Sequence, residues 1–128
     1  MAKNKVKKAK NKKKQKSRTQ KHCDSLLTPI IKKLSPKCLL CGSPTEVAHH
    51  FIRKSVSLNL RYNFKNLIPL CNKHHFLLHF NDEGLWNGRI TLIMGKDWLD
   101  YLEKNKRTII KPNYNEIYET LKRLLTFK

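Results

Sequence analysis

Between Cys38 and His79 the chain concentrates three of its four cysteines and five of its six histidines, and this stretch limits the fold more than any other feature of the 128 residues. It reads Cys38-x-x-Cys41-Gly42, then Ala48-His49-His50-Phe51-Ile52, then Asn66-Leu67-Ile68-Pro69-Leu70-Cys71-Asn72-Lys73-His74-His75, and it ends at His79. Cys38/Cys41 and Cys71/His74 are two pairs, each with two residues between its members. Structural zinc takes four tetrahedral ligands, commonly as two such pairs separated by a loop. In the cytosol this spacing more often marks a metal than a disulfide. Redox-paired cysteines or inert buried thiols are the alternatives. The spacing therefore predicts a structural zinc on Cys38, Cys41, Cys71 and His74.

A second site follows from helix geometry. The run from Lys73 mixes apolar residues with histidines at helical spacing, and His75 and His79 stand four apart. On a helix they share one face and can hold one ion. His74 points about 100° away, which frees it for the zinc. Alone, His75 and His79 read equally well as half-buried, hydrogen-bonded histidines. His49 and His50 change that balance, because four histidines beyond the zinc set suggest three ligands and one free imidazole. Phosphodiester hydrolysis calls for both parts. A group with a pKa near neutrality takes a proton from water, and a metal binds the phosphate and stabilises the leaving oxygen.

In these residues the chain resembles the HNH endonucleases, the ββα-metal or His-Me finger nucleases, in their zinc-stapled form. The family pattern is a metal ligand followed directly by a general-base histidine, then an asparagine, then helical metal ligands. Here that corresponds to His49 and His50, then Asn66, then His75 and His79, across about 42 of the 128 residues. The segments His50-Phe51-Ile52, Arg61-Tyr62 and Asn66-Leu67-x-Pro69-Leu70-Cys71 also look like phage recombination nucleases of the Rap and NinG kind. The resemblance implies a metal-dependent endonuclease acting on DNA, with the catalytic ion on His49, His75 and His79. It implies that His50 deprotonates the water, giving a 5′-phosphate and a 3′-hydroxyl. It also implies that Asn66 fixes the loop and orients His50 without touching the metal. Many family members place aspartate where His49 stands. An all-imidazole set should favour Zn²⁺, Ni²⁺, Co²⁺ or Mn²⁺ over Mg²⁺ in affinity, so the implied catalytic ion is Mg²⁺, Mn²⁺, Ni²⁺ or Zn²⁺. A non-catalytic zinc-binding module in a nucleic-acid assembly is the rival reading, and it leaves the four surplus histidines unexplained.

A chain of this length makes one domain. Its 28 basic and nine acidic side chains give a net charge of +19, unevenly spread. Residues 1–22 hold ten lysines and one arginine with no acid, and the other 17 bases still exceed the nine acids by about 8. Nucleic acid and acidic membrane surfaces both suit such a chain. No apolar run approaches ~20 residues and no apolar signal core opens the sequence. The expectation is a soluble intracellular, cytoplasmic protein whose partner is DNA rather than a membrane, as a monomer or homodimer. Residues 1–20 read as a disordered Lys-rich arm and 21–128 as a single domain with its motif core at 38–80. The arm is a solubilising tail, a localisation signal, or a neutraliser of phosphates that reads no sequence.

Along the rest of the chain, Leu26, Leu27, Ile30, Ile31 and Leu34 recur at helical spacing, with Asp24 or Ser25 as a cap and Pro29 forcing a late start or a kink. Glu46–Ile52 reads as a strand that must end or bulge at His49-His50 for both rings to reach one phosphate. Arg53, Lys54 and Arg61 follow in a loop, as phosphate clamps or as solvated charge. Leu67–Leu70 reads as a second strand. Gly84 looks like a helix stop and Arg89–Met94 like a strand. Lys96–Lys106 and Asn115–Phe127 read as helices, the second burying Ile117, Leu121, Leu124 and Leu125. Trp86 and Trp98 read as core, and Asp82, Glu83, Asp97 and Asp100 as solvated caps. His22 and Cys23 receive no role. The fold expected is α+β: a small zinc-stapled ββα-metal core flanked by helices, with a disordered basic N-terminal arm.

Overall fold

Two short strands divide the molecule. The structure, a computed structural model, describes residues 17–127. Strands β1 (Val47–His50) and β2 (Leu67–Leu70) pair antiparallel, with Val47 opposite Leu70, His49 opposite Ile68 and His50 opposite Leu67. Side chains alternate along a strand. Ile68 and Leu70 therefore join Cys38, Cys71, Leu78 and Ile90 in one apolar cluster. Leu67 joins Cys23, Leu27, Ile30, Ile31 and Leu121 in another. Residues directly opposite each other share a face, so His49 belongs to the Ile68 side and His50 to the Leu67 side. The ladder stops at His50, where the Phe51 N–H is already turned to the Asn66 carbonyl at 3.0 Å.

Helices close both sides. Helix α1 (Gln20–Asp24) is capped by Thr19 and α2 (Leu27–Leu34) packs on β1. Helix α3 (Leu58–Arg61), capped by Ser57, and a short 3₁₀ turn (Phe64–Asn66) fill the connection between the strands. Helix α4 (Asn72–Phe80) leaves β2 at once and packs on β1 and on α5 (Glu83–Met94). Helices α6 (Lys96–Asn105) and α7 (Tyr114–Thr126) complete the domain, and α7 buries Leu121 while Ile117, Leu124 and Leu125 pack beside it. The architecture is α+β with a two-stranded sheet, as expected. No described helix is long and apolar enough to cross a membrane.

Several local expectations change. The first helical run is two helices broken at Ser25-Leu26, and Pro29 sits third in α2, where the missing N–H has no helical partner to lose. Neither Asp24 nor Ser25 caps α2, whose N-cap Leu26 makes no side-chain bond; Thr19 caps α1, and His22 completes its capping box by accepting from the Thr19 N–H at 3.1 Å. Of the arm expected over residues 1–20, residues 1–16 lie outside the described residues. Arg18, however, stacks 4.1 Å over the Tyr118 ring and Thr19 caps α1, so the folded domain begins before residue 20.

The strand expected at Arg89–Met94 is the second half of α5. Asp82 caps that helix and Ile90 is its one fully buried residue, while Leu92 and Ile93 face solvent. An isolated β-branched run with no strand beside it cannot complete a ladder, and the strong cap decides for helix. Gly84 is accordingly inside α5 rather than a stop. Helix α4 ends instead at Asn81, and the glycine stop belongs to α5, at Gly95, whose φ of 93° suits glycine alone.

Candidate functional site

Helix α4 carries ligands on two sides, and its first turn explains how. Cys71 is its N-cap, and the Cys71 Sγ accepts the His74 N–H at 3.5 Å. That places Cys71 and His74 together, with the Cys71 Sγ 3.2 Å from the His74 Nδ1. Cys38 and Cys41 arrive from a tight turn in which the Cys38 N–H meets the Ser43 carbonyl at 2.6 Å and Gly42 takes a φ of 76°. All four donor atoms lie within 4.8 Å of one another.

The fit to zinc can be tested on distance. Tetrahedral zinc with Zn–S of about 2.3 Å separates two sulfurs by about 3.8 Å. Cys41 and Cys71 Sγ stand 3.7 Å apart, with both thiols free. Hydrogen bonds from Ser43 pull the Cys41 thiol down to about 6, whereas burial pushes Cys71 up. The group is a Cys₃His set at metal-binding distance, suited to a structural metal such as zinc.

One residue further, His75 turns the other way. His75 and His79, one helical turn apart, bring their Nε2 atoms to 3.0 Å. His49 comes from β1, with ring centroids 5.3 Å from His75 and 5.4 Å from His79. One nitrogen from each of the three lies within 4.8 Å of the others. Burial lowers His49 to about 3, with His75, His79 and His50 adding to the effect, and burial then His79 lower His75. Neutral imidazoles keep the lone pair that a metal needs.

His50 lines the same cleft, of about 430 Å³, from the neighbouring strand position. Its Nε2 is 2.8 Å from the Arg61 carbonyl oxygen. A carbonyl only accepts, so Nε2 carries the proton and Nδ1 keeps a lone pair. Burial lowers the His50 pKa, outweighing the opposing carbonyl hydrogen bond. Asn66, fully buried, donates to the Ile52 and Leu60 carbonyls at 3.0 and 3.3 Å and accepts from the Ile52 N–H at 2.7 Å. It ties the segment after His50 to α3, which supplies the Arg61 carbonyl. Its grip on His50 is therefore indirect.

The three basic candidates separate. Arg53 and Lys54 line the cleft, and Arg53 pairs with Glu83 at 3.2 Å. Arg61 does not reach the cleft: its guanidinium binds the Asp24 carboxylate, which also accepts from the Tyr62 hydroxyl at 2.8 Å. Only 14% of the Arg61 side chain is exposed. Asp24, Glu83 and Asn87 also line the cleft, a role the sequence did not reveal. The Asn87 Oδ1 is buried without a hydrogen-bond partner. From sequence Glu83 reads as a solvated cap, and nothing local marks Asn87, two residues before the segment read as strand. Trp86 and Trp98 pack into the second cluster, as expected of core.

In comparisons with known proteins the chain matches no family model, no curated protein and no solved structure.

Proposed function

We propose that the protein is a metal-dependent endonuclease of the HNH type that hydrolyses DNA phosphodiester bonds. The observation that carries this reading is the convergence of His49, His75 and His79 on one point, with His50 beside them in the same cleft. Three imidazoles fit a catalytic ion better than a structural one, because three protein ligands leave a coordination position open. His49, His75 and His79 would hold that ion, Mn²⁺, Ni²⁺, Zn²⁺ or Mg²⁺, and Cys38, Cys41, Cys71 and His74 a structural zinc. A divalent ion, when bound, supplies positive charge for the scissile phosphate and for the leaving oxygen.

The chain's own chemistry centres on His50. Its Nδ1 accepts a proton from a water as the water oxygen bonds to phosphorus. The bond from phosphorus to the 3′-oxygen breaks, and that oxygen leaves with a proton from solvent as a 3′-hydroxyl opposite a 5′-phosphate. The Arg61 carbonyl keeps the His50 proton on Nε2, which leaves Nδ1 as the basic nitrogen. Arg53 and Lys54 attract the phosphate backbone at the cleft edge.

The test is cleavage of supercoiled plasmid and of single-stranded DNA with Mn²⁺, Mg²⁺, Ni²⁺ or Zn²⁺. Nicks that a ligase reseals are expected, since resealing needs the 5′-phosphate and 3′-hydroxyl. Absence of cleavage of either DNA with all four ions would sink the proposal in favour of a non-catalytic zinc module.

A further inference from the structure

The helix that carries the candidate ion ligands also carries an aromatic pair that packs on no core. Phe76 is 60% and Phe80 76% exposed, and their rings stand 4.9 Å apart at a tilt of 36°. Each directly follows a candidate ligand, His75 or His79, and so lies about 100° around the helix from it. Leu78, fully buried, marks the core side of α4, and the two rings point almost directly away from it. Lys73, also exposed, falls on the same stripe, and α4 contains no acid. Single exposed aliphatic residues are ordinary on protein surfaces. Two adjoining phenyl rings beside a reactive cleft are not.

We propose that Phe76 and Phe80 form a stacking platform for unpaired nucleic-acid bases next to the cleft. The proposal rests on the nuclease reading above and narrows its substrate to DNA with unpaired bases near the scissile phosphate: single strands, flaps or branch points. The charge selects this occupant. A chain of net charge +19 repels a second copy of itself, and Lys73 on the stripe suits an anion. Single-stranded nucleic acid offers phosphates and open ring faces together, and exposed aromatics in basic surroundings bind it by stacking without regard to sequence. In continuous duplex the ring faces are already stacked on each other, which leaves the pair nothing to bind.

The experiment compares wild type with the double variant Phe76→Ala/Phe80→Ala, without added divalent ion, by fluorescence anisotropy. The probes are a short oligothymidylate carrying one 2-aminopurine and a duplex of equal length. Each stacked base contributes enough that its loss lowers affinity about 5- to 150-fold. The variant should lose about tenfold or more on the single strand and keep its duplex affinity. Wild type should quench the 2-aminopurine and the variant should not. Restoring rings with Phe76→Tyr/Phe80→Tyr should restore both signals, which a merely structural role would not require.

Unchanged single-strand binding, or equal losses on both probes, overturns the platform. So does a wild-type dimer in sedimentation velocity that the double variant dissociates, since the rings would then join two copies. Wild type that cleaves DNA while the variant still binds single strands removes the platform alone. Ring-dependent single-strand binding without any cleavage removes the nuclease reading and keeps the platform.

Discussion

The two ligand sets lie back to back on α4, yet they are built on opposite terms. The Cys₃His set draws its members from two tight turns, and backbone hydrogen bonds within each turn fix the spacing. The three-histidine set draws from one helix face and a strand, and it opens into a cleft. Four donors close a shell, whereas three leave room for a substrate. His74 and His75 are neighbours in sequence and serve different sets, because one step along a helix turns a side chain about 100°. The closed set is fixed by local turns, whereas the open set is assembled by the fold.

The sharpest way to break this comparison is Cys38→Ser. Binding of a structural zinc contributes ~10 kcal/mol or more, comparable to the ~5–15 kcal/mol that stabilise a whole domain. The variant should lose one zinc per chain by native mass spectrometry and lose its cooperative thermal transition. A normal zinc content with normal melting would show that the four donors form no metal site.

Around the cleft, the effects should separate by role rather than by depth. His50→Ala should lower the cleavage rate ~100- to 10,000-fold, with DNA affinity and melting temperature retained. His75→Ala should weaken the site for its ion, and raised Mn²⁺ should restore part of its rate. Raised Mn²⁺ should do nothing for His50→Ala, where proton transfer is missing. Rescue of His50→Ala alone would mean that base and ligand have been exchanged.

The smallest effect sharpens how the open set is braced. Burial alone would raise the Asp24 carboxyl, but hydrogen bonds from Arg61 and Tyr62 and the Arg61 charge hold it below the usual carboxylate range. A depressed folded pKa stabilises the protein above the unfolded value of ~3.9 and the contribution is lost as pH falls through the folded value. Asp24→Asn should therefore cost about 1–3 kcal/mol at neutral pH, the usual range for hydrogen bonds to a charged group in a partly exposed pair. That deficit should stay constant from neutrality down to about pH 5. A deficit that grows as pH falls across this window, followed by thermal melting, would mean that the folded carboxyl titrates above the unfolded value and is not held low.

What the sequence disclosed follows the same division. Ligand pairs with two intervening residues, and histidines four apart, report geometry through local spacing, so both sets and α4 were legible. The two strands were legible because Leu67–Leu70 is short, apolar and bounded by turns. The Asp24–Arg61 pair was not, since 37 residues separate its members and either charge alone looks like surface. Arg61 consequently reads as a phosphate clamp or as solvated charge until the fold brings Asp24 to it. Helix α5 was misread because its β-branched residues suggest strand, and only the Asp82 cap and the lack of a free partner strand decide otherwise.

Cys71 has a mechanical consequence. It is at once the residue after β2, the cap of α4 and a member of the closed set, so the helix is clamped at one end like a beam. Eight residues at 1.5 Å each put His79 about 12 Å from the clamp. At that distance a tilt of about 5° swings the His79 ring by about 1 Å, a displacement that can lower the rate of a positioned reaction ~100-fold. Whatever loosens the clamped end is thus amplified at the far end, where His79 meets the cleft. A single residue inserted between Cys71 and His75 would rotate the beam by about 100° and carry both histidines off the face they share with His49.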